Sequence, residues 1–261
     1  MLIRLFEDSG ALSRAAAAEA ATLLREAIAA GGGARLIAAT GTSQIAFLDY
    51  LCAEPGIAWD RVELFHLDEY LGLPGDHPAS FRRFLADRLV DRVGIARVHF
   101  LNGMADPATA VRDTGAAIAA GSVDLAFAGI GENAHLAFND PPADFETEQP
   151  FLVVELDEAC RRQQVGEGWF RATEEVPTRA ITMSVRQILK AKRILCLASG
   201  SRKARAVAAS FGSTTVTAGV PASILQEHAG TTLYLDRAAA ADLPEEALRR
   251  FGARASTAQG A

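Results

Sequence analysis

The chain has 261 residues, of which 49% are hydrophobic, so it can fill the core of one large α/β domain or two small ones, and a disordered chain is excluded. Its formal net charge is −6 and its Lys and Arg residues are dispersed, which argues against a nucleic-acid partner. Its three cysteines are far apart and form neither a CxxC pair nor a zinc-ligand pattern, so we interpret them as core residues in a reducing compartment.

The chain shows no targeting or membrane-spanning signal. The N-terminal sequence MLIRLFEDSG lacks an apolar region of signal-peptide length, and no window reaches the roughly 18 apolar residues that a membrane span requires. We therefore expect a cytoplasmic protein without a membrane partner.

The first predicted elements are a helix and then a strand, loop and helix. Ser9 or Ser13 is a candidate cap for an alanine-rich helix that ends at the three glycines 31–33. A short apolar run, residues 35–39, then predicts a strand. The loop TGTS follows it, and an amphipathic stretch over residues 44–52 predicts the next helix.

The same strand, loop and helix pattern recurs down the chain. Further apolar strands are predicted at residues 61–67, 123–129, 193–200 and 231–236. Apolar strands that alternate with helices are typical of a parallel sheet covered on both faces. No linker divides the chain, so we predict a single domain over residues 1–261, with a mobile tail from about residue 251.

Polar loops follow the carboxyl ends of these strands, where such folds bind ligands. The loop Thr40, Gly41, Thr42 and Ser43 lies before a helix, where backbone N–H groups favour an anion; an ordinary turn with Ser43 as N-cap is the alternative. Lys203 begins another helix after a strand. A lysine there opposes the helix dipole, which indicates a bound anion, although simple surface exposure is the alternative.

Two adjacent acids, Asp68 and Glu69, follow the strand VELF. They would point to opposite sides if the strand continues, so at most one faces a pocket. A buried carboxylate with a raised pKa suits proton abstraction next to a carbonyl group. The alternative is that Asp68 caps a turn.

The stretch GIGENAHLAFND places a polar cluster directly after the strand at 123–129. Gly129 and Gly131 allow a tight turn with close approach of the backbone to a ligand. His135 has Asn133 and Asp140 nearby, which could orient its ring and select its tautomer. A lone histidine is usually structural, but these neighbours favour catalysis.

The five histidines form no metal-ligand pair, and without a GxSxG elbow a serine hydrolase is not supported.

Five motifs resemble the glucosamine-6-phosphate deaminase family, within a larger group that includes 6-phosphogluconolactonases. They occur in the family's order over residues 35 to 236: ATGTS, LDEYLGLPGDHPASF, GIGENAHLAFNDP, VPTRAITMSVRQIL and SGSRKARAV. The resemblance implies a Rossmann-like three-layer α/β/α sandwich with a mostly parallel sheet. It also implies conversion of D-glucosamine 6-phosphate and water to D-fructose 6-phosphate and ammonia, without a cofactor or metal.

The resemblance also implies roles for single residues. Asp68 takes the place of the base that removes the C2 proton and returns it at C1. His135 takes the place of the acid/base that opens the sugar ring, held by the side chains at positions 133 and 140. Lys203 and the loop from Thr40 to Ser43 take the place of the phosphate-binding groups.

The surroundings of His135 depart from the family pattern at three positions. Asn133 stands where the family usually has aspartate, so one carboxylate that would stabilise the imidazolium is missing. Asp140 replaces a glutamate and is shorter by one methylene, about 1.5 Å, so one expectation is a bridging water. Ala134 replaces a glycine, and this replacement lowers the stability of the folded protein by about 1 kcal/mol if the site requires a positive φ.

A fourth departure is at Gly168, where the family commonly has a phosphate-binding arginine before two aromatic residues. Arg161, Arg162 and Arg171 are the candidate substitutes.

Two alternative functions remain at this point. A 6-phosphogluconolactonase-like hydrolase could use His135 as a base with an activated water, and a non-catalytic sugar-phosphate sensor could retain only the anion-binding loops. In every case the expected partner is a small sugar phosphate, and assembly into a homo-oligomer is left open.

Overall fold

The computed structural model describes residues 1–252 and 254–255. In chain order its strands are β1 (Leu2–Phe6), β2 (Ala34–Ala38), β3 (Val62–His66), β4 (Asp68–Tyr70), β5 (Arg97–His99), β6 (Leu125–Gly129), β7 (Phe151–Glu155), β8 (Arg179–Met183), β9 (Arg193–Ala198), β10 (Thr231–Asp236) and β11 (Arg254–Ala255). Its α-helices are α1 (Ser9–Gly31), α2 (Thr42–Ala53), α3 (Phe81–Leu85), α4 (Asp91–Val93), α5 (Pro107–Ala119), α6 (Glu158–Gly166), α7 (Val185–Leu189), α8 (Ala204–Phe211) and α9 (Glu245–Arg250). A π-helix (Ala86–Val90) joins α3 to α4, and 3-10 helices lie at Trp59–Arg61, Thr173–Glu175, Ser201–Lys203 and Pro221–Glu227.

The central sheet has eight strands in the order β11-β1-β10-β9-β6-β2-β3-β5, and every neighbouring pair is parallel. Helices flank the sheet, and its central strands are almost entirely buried. Burial on both faces explains why these strands are continuously apolar in the sequence. The prediction of a three-layer α/β/α sandwich with a mostly parallel sheet is therefore confirmed.

A second, antiparallel sheet of three strands, in the order β4-β8-β7, was not predicted. Only Leu67 separates β3 from β4, and its carbonyl accepts a hydrogen bond from the Met183 N–H. A separate hydrophobic cluster supports this sheet, with Tyr70 packed against Phe81 and Phe138 at centroid distances of 4.9 and 5.1 Å. The chain passes from β3 into β4 of this small sheet, and the pairing of β4 with β8 fixes the backbone at Asp68.

The limits of α1 correct one expectation. Asp8, rather than Ser9 or Ser13, is the N-cap, because its carboxylate accepts a hydrogen bond of 2.8 Å from the Ala11 N–H. Ser13 is buried within the helix. At the other end, Gly32 adopts φ 75° and closes the helix, as the three glycines predicted.

The end of the chain is described only in part. The strand β11 pairs with β1, whereas residues 253 and 256–261 of the predicted mobile tail lie outside the described residues. Within the described part of the chain, no helix has the length and apolar character needed to cross a bilayer.

Candidate active site

The predicted polar loops meet in one pocket at the carboxyl ends of the parallel strands. The described residues that line it come from the loop after β2 and the first turn of α2, from the start of β4, from the end of β6 and the loop after it, from α6 and the turn after it, and from the 3-10 helix before α8. They include Thr40, Gly41, Thr42, Ser43, Gln44, Asp68, Gly129, Gly131, His135, Gln163, Gln164, Glu167 and Lys203. Nine of the predicted site residues are in this set, and Asn133 and Asp140 lie behind His135.

The loop after β2 leaves the N-terminus of α2 without a side-chain cap. Gly41 is the N-cap, with φ 102°, and no side chain accepts a hydrogen bond there. Ser43 lies inside the helix, so the alternative that it caps the helix is wrong. Because a backbone N–H at the start of a twelve-residue helix has no intrahelical acceptor, this end of the pocket attracts an anion.

Asp68 is the buried carboxylate of the pocket. It is 5% exposed, and its Oδ1 has no hydrogen-bond partner among the residues described. Burial raises the pKa of Asp68 well above its ordinary value, and the adjacent Glu69 raises it further. This arrangement suits a carboxylate that accepts a proton from carbon.

Glu69 points away from the pocket, as the alternation of side chains along a strand predicted. Its carboxylate accepts hydrogen bonds of 2.8 Å from the Ser80 hydroxyl and from the Arg82 N–H, at the start of α3. Glu69 therefore anchors a helix, and of the two adjacent acids only Asp68 lines the pocket.

His135 lines the same pocket as Asp68. It is 7% exposed, and its Nδ1 lies 3.0 Å from Asp140 Oδ1. Burial would raise the pKa of Asp140, but hydrogen bonds from His135 and Asn133 outweigh it and hold that pKa below the ordinary value. The ionised Asp140 suits the tautomer that carries its proton on Nδ1, and in that tautomer the Nε2 lone pair is available.

Asn133 acts on Asp140 instead of on the ring. Its Nδ2 donates to Asp140 Oδ1 at 2.9 Å and to Asp157 Oδ2 at 3.1 Å. The Asp157 N–H donates to the other oxygen of Asp140 at 3.1 Å. These donors hold Asp140 against the ring, so the expected bridging water is not required.

Two small residues shape the turn that carries His135. Ala134 adopts φ 67°, so the strain expected from the missing glycine is present. Gly131 lies under the imidazole, where an added Cβ would be 2.3 Å from Nε2. The ring therefore occupies space that only a glycine leaves free.

Lys203 is buried in the wall of the pocket, with Nζ 3.6 Å from Glu167 Oε1. Burial lowers the pKa of Lys203, and Glu167 opposes that shift. Within residues 1–252, none of the three candidate arginines lines the pocket. Two of their guanidinium groups are used elsewhere: Arg161 Nη2 donates to the Thr173 carbonyl, and Arg162 pairs with Glu158.

Sequence reasoning missed Gln44 and Glu167. Gln44 is fully buried, its Nε2 donates to the Ala128 carbonyl at 3.2 Å, and its Oε1 has no partner in the described structure. Its place in the first turn of α2, directly after TGTS, was the available signal. No signal in the sequence pointed to Glu167. It follows α6, and the position of α6 over the pocket depends on the assembled fold.

Comparison with known proteins agrees with this geometry. The family described as glucosamine-6-phosphate isomerases/6-phosphogluconolactonase matches residues 7–234. The chain belongs to this family. The resemblance carried by the five motifs is thus confirmed.

Individual members of the glucosamine-6-phosphate isomerase/6-phosphogluconolactonase family are similar over most of their length. The glucosamine-6-phosphate deaminase of Exiguobacterium sp. (strain AT1b) is 37% identical over 237 residues, which are 90% of this chain and 91% of the relative. A solved monomeric glucosamine-6-phosphate deaminase has a TM-score of 0.85 and 30% identity, covering 93% of this chain and all of that one. The 6-phosphogluconolactonase of Thermotoga maritima, at 18% identity and a TM-score of 0.74, covers 90% of this chain and 98% of its own, and shares the fold.

Proposed function

We propose that this protein is an aldose-ketose isomerase and deaminase that converts D-glucosamine 6-phosphate and water to D-fructose 6-phosphate and ammonia. The observation that carries the proposal is that Asp68 and His135, 67 positions apart in the chain, line one pocket. Its relatives at 37% identity carry the deaminase name, which favours this reaction over lactone hydrolysis and over a sensor.

The first step is opening of the pyranose ring. The free Nε2 of His135 takes the proton of the C1 hydroxyl and delivers it to the ring oxygen, which breaks the C1–O5 bond and gives the open-chain aldehyde. Asp140 stabilises the imidazolium formed in between, because its carboxylate accepts the Nδ1–H.

The second step is the shift of the double bond. Asp68 removes the C2 proton, a double bond forms between C1 and C2, and the C1 oxygen takes a proton from the protonated amino group, which gives an enolamine. Asp68 then returns its proton to C1, so C1 becomes a hydroxymethyl group and C2 a protonated imine. C1 is reduced and C2 is oxidised within one molecule, so no external oxidant or reductant is required.

The last step releases ammonia. Water adds to the C2 imine, the amino group leaves after protonation, and the ketone of fructose 6-phosphate remains. The uncapped N-terminus of α2 and Lys203 hold the phosphate end throughout. We propose that one domain performs the whole reaction, with a small sugar phosphate as partner, and the three free cysteines fit a reducing cytoplasm as its compartment.

A product assay tests this proposal. The purified protein is incubated with glucosamine 6-phosphate, and ammonia and fructose 6-phosphate are quantified. Parallel incubations contain 6-phosphogluconolactone or no sugar. We expect equal amounts of ammonia and fructose 6-phosphate. Lactone hydrolysis without ammonia would replace the proposal by the hydrolase, and sugar-phosphate binding without any product would replace it by the sensor.

A further inference from the structure

A carboxylate occupies the end of the pocket that holds the phosphate. Glu167 Oε1 lies 3.6 Å from Lys203 Nζ, and the two side chains are 4% and 7% exposed. Among the described residues that line the pocket, Lys203 is the only lysine or arginine. The pair is formally neutral, so little net positive charge is left for an arriving anion.

Glu167 is held in this position by its neighbours. Gln163 Nε2 donates to Glu167 Oε1 at 2.7 Å, and Trp169 Nε1 donates to Oε2 at 3.2 Å. The orientation of the Gln163 amide is fixed in turn, because its Oε1 accepts a hydrogen bond of 2.7 Å from the Glu132 N–H. The carboxylate is thus held in the wall of the pocket by two hydrogen bonds, which oppose its movement away from Lys203.

A phosphate dianion that binds Lys203 comes close to this carboxylate. Two like charges at such a distance in a partly buried site repel each other by an amount comparable with the attraction of the lysine. A terminal group with less negative charge, such as a hydroxymethyl group, avoids that repulsion. It can still accept a hydrogen bond from Lys203 and donate one to Glu167.

We propose that Glu167 is a specificity-determining residue that weakens binding of a phosphate dianion at Lys203 and so opens the pocket to amino sugars with a less charged end. The substrate side of this inference rests on the proposed function. The binding side does not, because it concerns only the affinity of the pocket for phosphate.

The matched variant is Glu167→Gln, which keeps the size of the side chain and removes its charge. Inorganic phosphate at pH 8 is titrated into wild type and variant by calorimetry, and kcat and KM are measured for glucosamine 6-phosphate and for glucosamine. We expect phosphate to bind about tenfold more tightly to the variant, with a matching fall in KM for glucosamine 6-phosphate and little change in kcat. The values for glucosamine should change less than twofold.

Glu174→Gln is the control, since Glu174 is exposed and does not line the pocket. It removes the same charge and should leave the phosphate affinity unchanged. Glu167→Ala removes the charge without keeping the shape, and provides a second measurement if Glu167→Gln does not fold.

Unchanged or weaker phosphate binding in a folded, uncharged variant would overturn the inference. Weaker binding would mean that Glu167 assists phosphate by keeping Lys203 protonated and in place. If neither protein releases ammonia but the variant binds phosphate more tightly, the inference stands and the proposed function fails. If both release ammonia with the same KM and the same phosphate affinity, the proposed function stands and the inference fails.

Discussion

Gly131→Ala tests whether the position of the imidazole controls the reaction. Gly131 does not adopt a positive φ, so alanine introduces no backbone strain there. The added Cβ would lie 2.3 Å from His135 Nε2, whereas an ordinary van der Waals contact starts at 3.4 Å. The ring or the turn therefore has to move by about 1.1 Å.

This displacement acts on a ring that is held from both sides. The hydrogen bond from Nδ1 to Asp140 is 3.0 Å long, and Asp140 is itself fixed by Asn133 and by the Asp157 N–H. Movement away from residue 131 disturbs that hydrogen bond and removes Nε2 from its place in the pocket. A misplacement of about 1 Å can lower catalysis roughly 100-fold, and we expect a fall of that order in kcat.

The assay is steady-state ammonia release from glucosamine 6-phosphate, together with a thermal melt of each protein. Gly115→Ala is the control, because Gly115 lies inside α5, where alanine favours the helix. It should retain wild-type kcat and an equal or higher melting temperature. A folded Gly131→Ala variant with kcat within threefold of wild type would refute the reasoning about the ring.

Three further predictions concern the carboxyl groups of the site. Asp140→Asn removes the ionised acceptor of the His135 Nδ1–H, and kcat should fall about 10- to 100-fold in the same assay. Asn133→Asp replaces a donor between Asp140 and Asp157 by a third carboxylate, so urea unfolding at pH 8 should show a loss of about 1–3 kcal/mol. Asp68→Asn should raise the melting temperature at pH 8 but not at pH 3. Burial raises the pKa of Asp68 in the folded protein above its value in the unfolded chain. The aspartate therefore costs the folded protein no stability below the unfolded-state pKa, and it lowers the free energy of unfolding as the pH rises toward and through the folded-state pKa.

Each of these has a contrary result. Wild-type kcat in Asp140→Asn would show that the pair with His135 is not used in catalysis. Unchanged unfolding of Asn133→Asp would mean that the three carboxyl groups are not neighbours. An equal effect of Asp68→Asn on the melting temperature at both pH values would show that burial does not raise the pKa of Asp68.

The part of the fold that could be predicted is the part where local pattern and burial coincide. Strands β2, β3, β6, β9 and β10 are mostly apolar because both faces of a parallel sheet are covered, and this gives a strong sequence signal. Strand β7 alternates between buried and more exposed residues, and the pairing of β8 with β4 and with β7 depends on contacts between distant segments. Only the assembled fold decides such pairings.

In the site, too, some features follow from the local sequence and others depend on the assembled fold. The opposite directions of Asp68 and Glu69 follow from the pleat of one strand, so the sequence was enough. The role of Asn133 was not predictable, because its second partner, Asp157, caps a helix that arrives from a later segment. Glu167 was missed for a similar reason, since its distance to Lys203 depends on how α6 and α8 pack over the pocket.

The most direct test of the account follows the hydrogen at C2 of glucosamine 6-phosphate by proton NMR, with wild type and with Asp68→Asn. If His135 opens the ring and Asp68 transfers the proton on one sugar, wild type removes this hydrogen. The amount of ammonia formed then equals the amount of C2 hydrogen lost. The variant should bind the sugar phosphate but leave the C2 hydrogen in place. Loss of the hydrogen in the variant at a rate within a few-fold of wild type would contradict the account.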